Sequence, residues 1–483
     1  SSEIADVVIL TGGTDTALRM LEARPEMMLL AETGGKNATI VTAMSDREQA
    51  IAHVLQSAFG HGGQKCSATS LLILEDEVYD DPTFRETLCD AATSWEVGSA
   101  WNLDTRLGPL SQPVSGDLER GLKELEPGES WAVMPTQIDE NPCLYSPGIK
   151  WGVSADSYTH MTEFFGPVLA VMKAKSLGHA IHMVNQTGYG LTSGLESLDA
   201  REISDWRDSI RAGNLYINRG TTGAIVHRQP FGGMGKSAFG PGVKAGGPNY
   251  VAQLMDFRDR VPTEPPADTP LNAPELEALR VALLKRPRLA NGEYPTDLTM
   301  LLHALASYER AYFAEFADEH DDFKLLGQDN IRRYLPVQAV RIRVHPDDSA
   351  FEIFACVCAA RLVGCRTTVS VPTGLTLPMV DLLDTLTPAW GAMVEFVEET
   401  DAELVQIIHD GETERIRYAS PDRVPRSVLA AIGDSGIYVA RTPVLAEGRI
   451  ELLWYLKEQS ISHDYHRHGN LGVRAGETRR PVS

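Results

Sequence analysis

The stretch "SDREQAIAHVLQSAFGHGGQKCSATSLLILED", residues 45–76, switches from one structural period to another. Ile51, Val54, Leu55 and Ala58 share one helical face, Ser45 and Glu48 form a capping-box pattern, and Gly60 ends the helix. "TSLLILED" follows as a strand. A helix and a strand joined by a glycine-rich loop form the unit of an α/β fold. That loop carries Cys66. A structural cysteine usually packs inside an element as a small hydrophobe, so a cysteine on a loop between glycines points to chemistry.

The same alternation extends in both directions. "ADVVILTGGT" (5–14) reads as a buried strand entering a glycine turn. "PVLAVMKA" reads as a strand, "LGHAIHMVNQ" and "SDWRDSIRAG" as helices, and "NLYIN" as a strand. "RVPTEPPADTPLNAPE", residues 260–275, holds five prolines and reads as a linker. Strands and a helix return beyond it in "AVRIRVH", "FEIFACVCAARLVG", "RTTVSVP", "MVEFVEE" and "GIYVART". A strand as apolar as the first needs neighbours on both sides, which predicts that these residues are part of a longer chain.

With 44 basic and 66 acidic residues, the 483-residue chain carries a net charge of −22. That charge disfavours binding to nucleic acid or anionic membranes. No apolar run approaches the roughly 18 residues of a membrane span, and "SSEIADVVIL" does not have the form of a signal peptide. Six cysteines in so long a chain read as reduced thiols and predict a cytoplasmic location.

A thiol near its ordinary pKa needs a base or exposed backbone N–H groups before it attacks a carbonyl. Glu32, in "AETGGKN", is a candidate base. The residues alone leave open a solvated turn carboxylate and an ordinary free cysteine. "TEFFGPVLAV" places Glu163 in a turn before a strand, and "RQPFGGMGKSAFGPGVKAGGP" is glycine-rich enough to wrap a ligand. "GMGKS" is not a phosphate-binding P-loop, because the required first glycine, four intervening residues ahead of Gly235, is absent. His463, His466 and His468 are not read as a metal site: on a strand His466 and His468 share a face while His463 points away.

Taken in order, "LTGGT", "AETGGKN", "GQKCSA", "EFFGPV" and "NRGTTGAIVHRQPFGG" resemble the aldehyde dehydrogenase superfamily, with Glu32 and Cys66 34 residues apart. Ser67, "TGAIV" and "KAGGP" narrow the resemblance to the branch that oxidises L-glutamate γ-semialdehyde with NAD. That branch is often fused to a proline dehydrogenase domain, which would hold FAD upstream. The resemblance implies Cys66 as nucleophile and Glu32 as the base that activates water. It also implies Gly12, Gly13 and Thr14 at the pyrophosphate, Glu163 at the nicotinamide ribose and Phe165 beside the nicotinamide. Ser67, Gly223 and Ala224 would bind the substrate carboxylate, neutral donors suited to an anion, and Phe231 would line the aldehyde site.

Gly13 stands where the family usually has Ser, and the first half of the family's NAD domain has no counterpart before residue 1. This chain alone is therefore expected to bind NAD weakly. The later stretch resembles a degraded copy of that half. Asp348 lies at or beside the place of the family's oxyanion-stabilising Asn, and Val371 or Ser370 replaces the ribose-binding Lys. The expected organisation is the end of an NAD domain (1–31), a catalytic domain (32–228), a substrate-anchoring return (229–258), a linker (259–275) and a degenerate Rossmann-like cover (276–483). The stretch near residue 460 would be its version of the strand arm through which catalytic domains form homo-oligomers. A different aldehyde, or a purely structural fragment, are the competing readings.

Overall fold

The computed structural model describes residues 5–262, 269–290 and 294–480. Residues 263–268 of the predicted linker lie outside the described residues. The fold is α/β, as read from the sequence. No helix among the described residues is long and apolar enough to cross a membrane.

The strands to residue 259 are β1 (Val7–Thr11), β2 (Met28–Glu32), β3 (Ala38–Val41), β4 (Leu71–Glu75), β5 (Ser130–Val133), β6 (Gly148–Trp151) and β7 (Val168–Ala174). They continue with β8 (Tyr189–Gly190), β9 (Thr192–Glu196), β10 (Asn214–Ile217), β11 (Met234–Gly235) and β12 (Ala238–Phe239). The later strands are β13 (Gln328–Pro336), β14 (Ala339–Arg343), β15 (Arg366–Pro372), β16 (Val394–Glu399), β17 (Arg415–Arg417), β18 (Tyr438–Ala440) and β19 (Leu456–Asp464).

The main sheet has the order β13-β19-β10-β9-β3-β4-β7-β6-β5. Leu71, Leu72, Ile73 and Leu74 of β4 are all fully buried because β3 and β7 flank them and both sheet faces are covered. Two strands of this sheet come from the stretch read as a separate cover. β19 pairs in parallel with β10, Asn214 opposite Ser460 through Ile217 opposite His463. β13 then pairs antiparallel with β19 along its whole length, Gln328 opposite Asp464. The arm near residue 460 thus adds to the main sheet of its own chain.

The second sheet is fully parallel, with the order β16-β15-β14-β17-β18. Numbered within itself this is 3-2-1-4-5, the doubly wound arrangement of a Rossmann-like domain. At the crevice between β14 and β17, where the strand order reverses, Arg423 pairs with Asp348 at 2.6 Å, and Arg343 at the end of β14 pairs with Asp401, just past β16, at 2.7 Å.

Three local expectations need correction. The first strand is not buried: β1 lies at the edge of a three-stranded sheet, β1-β2-β12, and Ile9 is 58% exposed. The helix Arg47–Phe59 is capped by Asp46, which accepts the Gln49 N–H at 3.3 Å, while Ser45 Oγ is buried without a hydrogen-bond partner. Asp46 lies one residue nearer the helix and takes the capping role. β19 ends at Asp464, so His466 and His468 lie beyond the strand and the two-residue periodicity does not reach them.

Candidate active site

The helix Arg47–Phe59 stops in a turn where His61, Gly62 and Gly63 all have positive φ, 56°, 66° and 69°. Gly63 is required there: a Cβ would strike the Gly166 carbonyl of the "EFFGP" loop, which packs against it backbone to backbone. Cys66 sits just beyond this crossing. Asn37 Nδ2 donates to the Cys66 carbonyl at 2.7 Å and to the Ala68 carbonyl at 3.0 Å, while its Oδ1 accepts the Thr192 N–H. Thr221 Oγ1 donates to the Ser67 carbonyl at 2.9 Å, and its N–H donates to Ser57 Oγ. Buried side chains therefore fix the carbonyls of the cysteine loop from below.

Glu32 ends β2, and one of its carboxylate oxygens accepts the Gly233 N–H at 2.7 Å. Burial pushes its carboxyl up to about 7, opposed by the Lys244 ammonium and the Gly233 hydrogen bond. A general base is most effective when its pKa lies near the working pH. Burial also raises the Cys66 thiol, and the nearby carboxylates of Glu163 and Glu32 raise it further. Both effects favour the protonated thiol over the thiolate at Cys66. Glu163 accepts the Gly35 N–H at 3.0 Å, and burial raises its carboxyl as well.

The other predicted residues gather around this trio to different degrees. Gly12 donates its N–H to the Glu32 carbonyl at 3.3 Å, so the glycine turn adjoins Glu32. Gly13 caps the helix Thr14–Ala23 with no side-chain hydrogen bond and with open space where a Cβ would point. The Thr14 hydroxyl is turned to the Lys236 carbonyl, at 3.1 Å. Phe165 is 44% exposed at φ 54°. Gly223, at φ 87°, is exposed, and Ala224 is half-buried beside it, two and three residues past the Thr221 that holds the Ser67 carbonyl. Phe231 bridges to Ala245 through paired backbone hydrogen bonds.

Asn37, Thr221, Gln229 and Lys244 were not foreseen. Each lies inside or beside a quoted motif, but its partners are far away in sequence. Buried Gln229 accepts the Ile225 N–H and donates to Asn330 of β13 and Ser462 of β19, tying the 223–229 loop to the second region.

A sequence model described as "Aldehyde dehydrogenase family" matches residues 1–259, more than half of the chain. The chain belongs to the aldehyde dehydrogenase family. Within that family it is similar to 1-pyrroline-5-carboxylate dehydrogenase of Bacillus cytotoxicus, 34% identical over 275 residues, covering 53% of this chain and 53% of the relative. The enzyme of the same name from Bacillus mycoides is 35% identical over 260 residues, 52% of this chain and 50% of the relative. The chain spans about half the length of the curated family members it matches. Among solved structures it is similar to proline utilization A from Corynebacterium freiburgense, with TM-score 0.77 and 38% identity. That likeness covers 96% of this chain and 42% of the other, and so takes in both regions.

Proposed function

We propose that the chain is the aldehyde-oxidising part of a longer cytoplasmic enzyme that converts L-glutamate γ-semialdehyde to L-glutamate with NAD and works with an upstream proline dehydrogenase domain. The observation that carries this reading is the buried Glu32 carboxylate next to Cys66, with the Ser67 and Gly223–Ala224 loops beside them. The family membership and the names of the relatives support it.

The residues present fit a dinucleotide. Gly13 leaves the helix N-terminus uncapped by side chains and the space above it open, the setting in which backbone N–H groups receive a phosphate. Gly12, Gly13 and Thr14 would hold the pyrophosphate, Glu163 a ribose hydroxyl, and Phe165 the nicotinamide face. NAD, when bound, supplies the acceptor for the hydride lost by the substrate carbon.

Glu32 accepts the Cys66 proton, directly or through water, and the sulfur bonds to the aldehyde carbon as the carbonyl electrons move to oxygen. Loss of hydride from that carbon restores the carbonyl and leaves a thioester on Cys66. Glu32 releases the Cys66 proton to solvent and, ionised again, takes a proton from water as the water oxygen adds to the thioester carbon. The C–S bond breaks, the carboxylate leaves and the sulfur regains a proton. Ser67, Gly223 and Ala224 hold the substrate α-carboxylate throughout.

The domain limits read from the sequence stand as part of this proposal, with β13 and β19 of the 276–483 region assigned to the catalytic sheet. The remainder of that region serves as a structural cover. The reading is tested in the full-length enzyme by comparing kcat/KM for glutamate semialdehyde and hexanal. Strong preference for the semialdehyde is expected; equal use of hexanal contradicts the carboxylate pocket.

A further inference from the structure

The peptide group between Gly232 and Gly233 is held on both sides by charge. Its carbonyl oxygen accepts from Lys244 Nζ, and its N–H donates to Glu32 Oε2 at 2.7 Å. A trans peptide points these two groups in opposite directions. One dipole therefore lies between an ammonium and a carboxylate, and the cation polarises the N–H toward the anion. The approach is close: a Cβ on Gly232 would lie 2.7 Å from Glu32 Oε1. Lys244 is 1% exposed.

Lys244 is itself fixed from the second region. Glu458 on β19, 2% exposed, accepts the Lys244 backbone N–H at 2.8 Å and Asn249 Nδ2 at 2.5 Å. Asn249 Nδ2 also donates to the Tyr334 hydroxyl on β13 at 2.8 Å, and its Oδ1 accepts from Arg449 at 2.5 Å. The charged and titratable groups facing this cluster are Cys66 and Tyr250 toward Glu32, and Arg332 and Tyr334 toward Glu458.

We propose that Lys244, clamped by Glu458, is a positioning residue that acts through the Gly232–Gly233 peptide to keep the Glu32 carboxylate ionised and aimed, so that the second region takes part in the aldehyde-oxidising site. The inference rests on Glu32 being the base of the proposed function. The electrostatics agree in direction: Lys244 lowers the Glu32 pKa against burial, and Glu32 and Glu458 both raise that of Lys244.

The test is the pH dependence of thioester hydrolysis in single turnovers of the full-length enzyme with glutamate semialdehyde and NAD. Lys244→Met removes the charge at similar volume and should move the acid limb upward by about one pH unit or more. It should slow hydrolysis more than the burst of NADH. Glu458→Gln must turn an amide N–H₂ toward one of two donors, Lys244 N–H or Asn249 Nδ2, and should move the limb the same way by less. If Lys244→Met fails to fold, Glu458→Gln carries the test alone. A normal burst with an unmoved acid limb overturns this inference and leaves the proposed function standing. Absence of any burst in the unsubstituted enzyme overturns the proposed function itself.

Discussion

Two α/β regions of this chain use buried carboxylates in opposite ways. Around Cys66, Glu32 and Glu163 each accept a backbone N–H, and burial leaves both carboxyls above their ordinary range. In the parallel sheet of the second region, acidic groups are matched by arginines. Glu399 meets Arg341 at 2.5 Å, Asp348 meets Arg423 at 2.6 Å, and fully buried Glu451 meets Arg417 at 3.0 Å. Arg343 Nη1 donates to Ser370 Oγ at 2.9 Å, so that hydroxyl is also engaged by an arginine. A carboxylate without a matched ion partner can exchange a proton during a reaction. One locked in an ion pair fixes structure. The comparison teaches that the two regions differ in the partners their buried acids receive, and on the proposed function that difference separates a reactive region from a structural one.

The comparison breaks first at the nucleophile. Cys66→Ala in the full-length enzyme should reduce steady-state aldehyde oxidation at least about a thousandfold; near-normal turnover would remove the distinction between the regions. On the inert side, Arg417→Met leaves the Glu451 carboxylate buried and unpaired. It should lower the stability of the second region in urea titrations by about 3–5 kcal/mol, and a negligible loss would show that the pair is not structural.

Glu32→Gln should slow thioester hydrolysis by about a hundredfold or more, with a smaller effect on acylation in stopped-flow traces. The sign of the unsubstituted pH profile follows from the raised carboxyl. The base is protonated below about 7, so turnover should rise as pH increases through that value. Ser67→Ala removes a donor to a charged group, a loss of about 1.5–3 kcal/mol, and should raise KM about ten- to hundredfold. The smallest effect is expected from Asp348→Asn, because Asp348 is held in an ion pair with Arg423 in the region proposed as a structural cover. Its kcat should match the parent, and an increase would show that the second region retains chemistry.

The fold class and the Cys66–Glu32–Glu163 constellation were legible because each lies in a short motif with local periodicity or fixed glycines. The helix Leu177–Gln186 also matches its sequence reading residue for residue, since Ser176 caps it directly, accepting the His179 N–H. The placement of β13 and β19 in the main sheet was not legible, because β10 and β19 are separated by more than 200 residues and pair through backbone groups. The same distance hid Gln229, whose partners lie on β13 and β19, and Glu458, which accepts the backbone N–H of Lys244 in the first region. The exposure of β1 was misread because an apolar sequence reports a preference for burial and cannot name what covers it.

The division between a reactive and a locked region is tested most directly by trapping the acyl-enzyme. The full-length Glu32→Gln protein is mixed with glutamate semialdehyde and NAD, quenched in acid during the first turnover, digested and analysed by peptide mass spectrometry. The account predicts an acyl adduct on Cys66 and none on Cys356, Cys358 or Cys365, which lie buried in the second region. An unmodified Cys66 in a protein that has formed NADH, or an adduct on any of those three thiols, would contradict it.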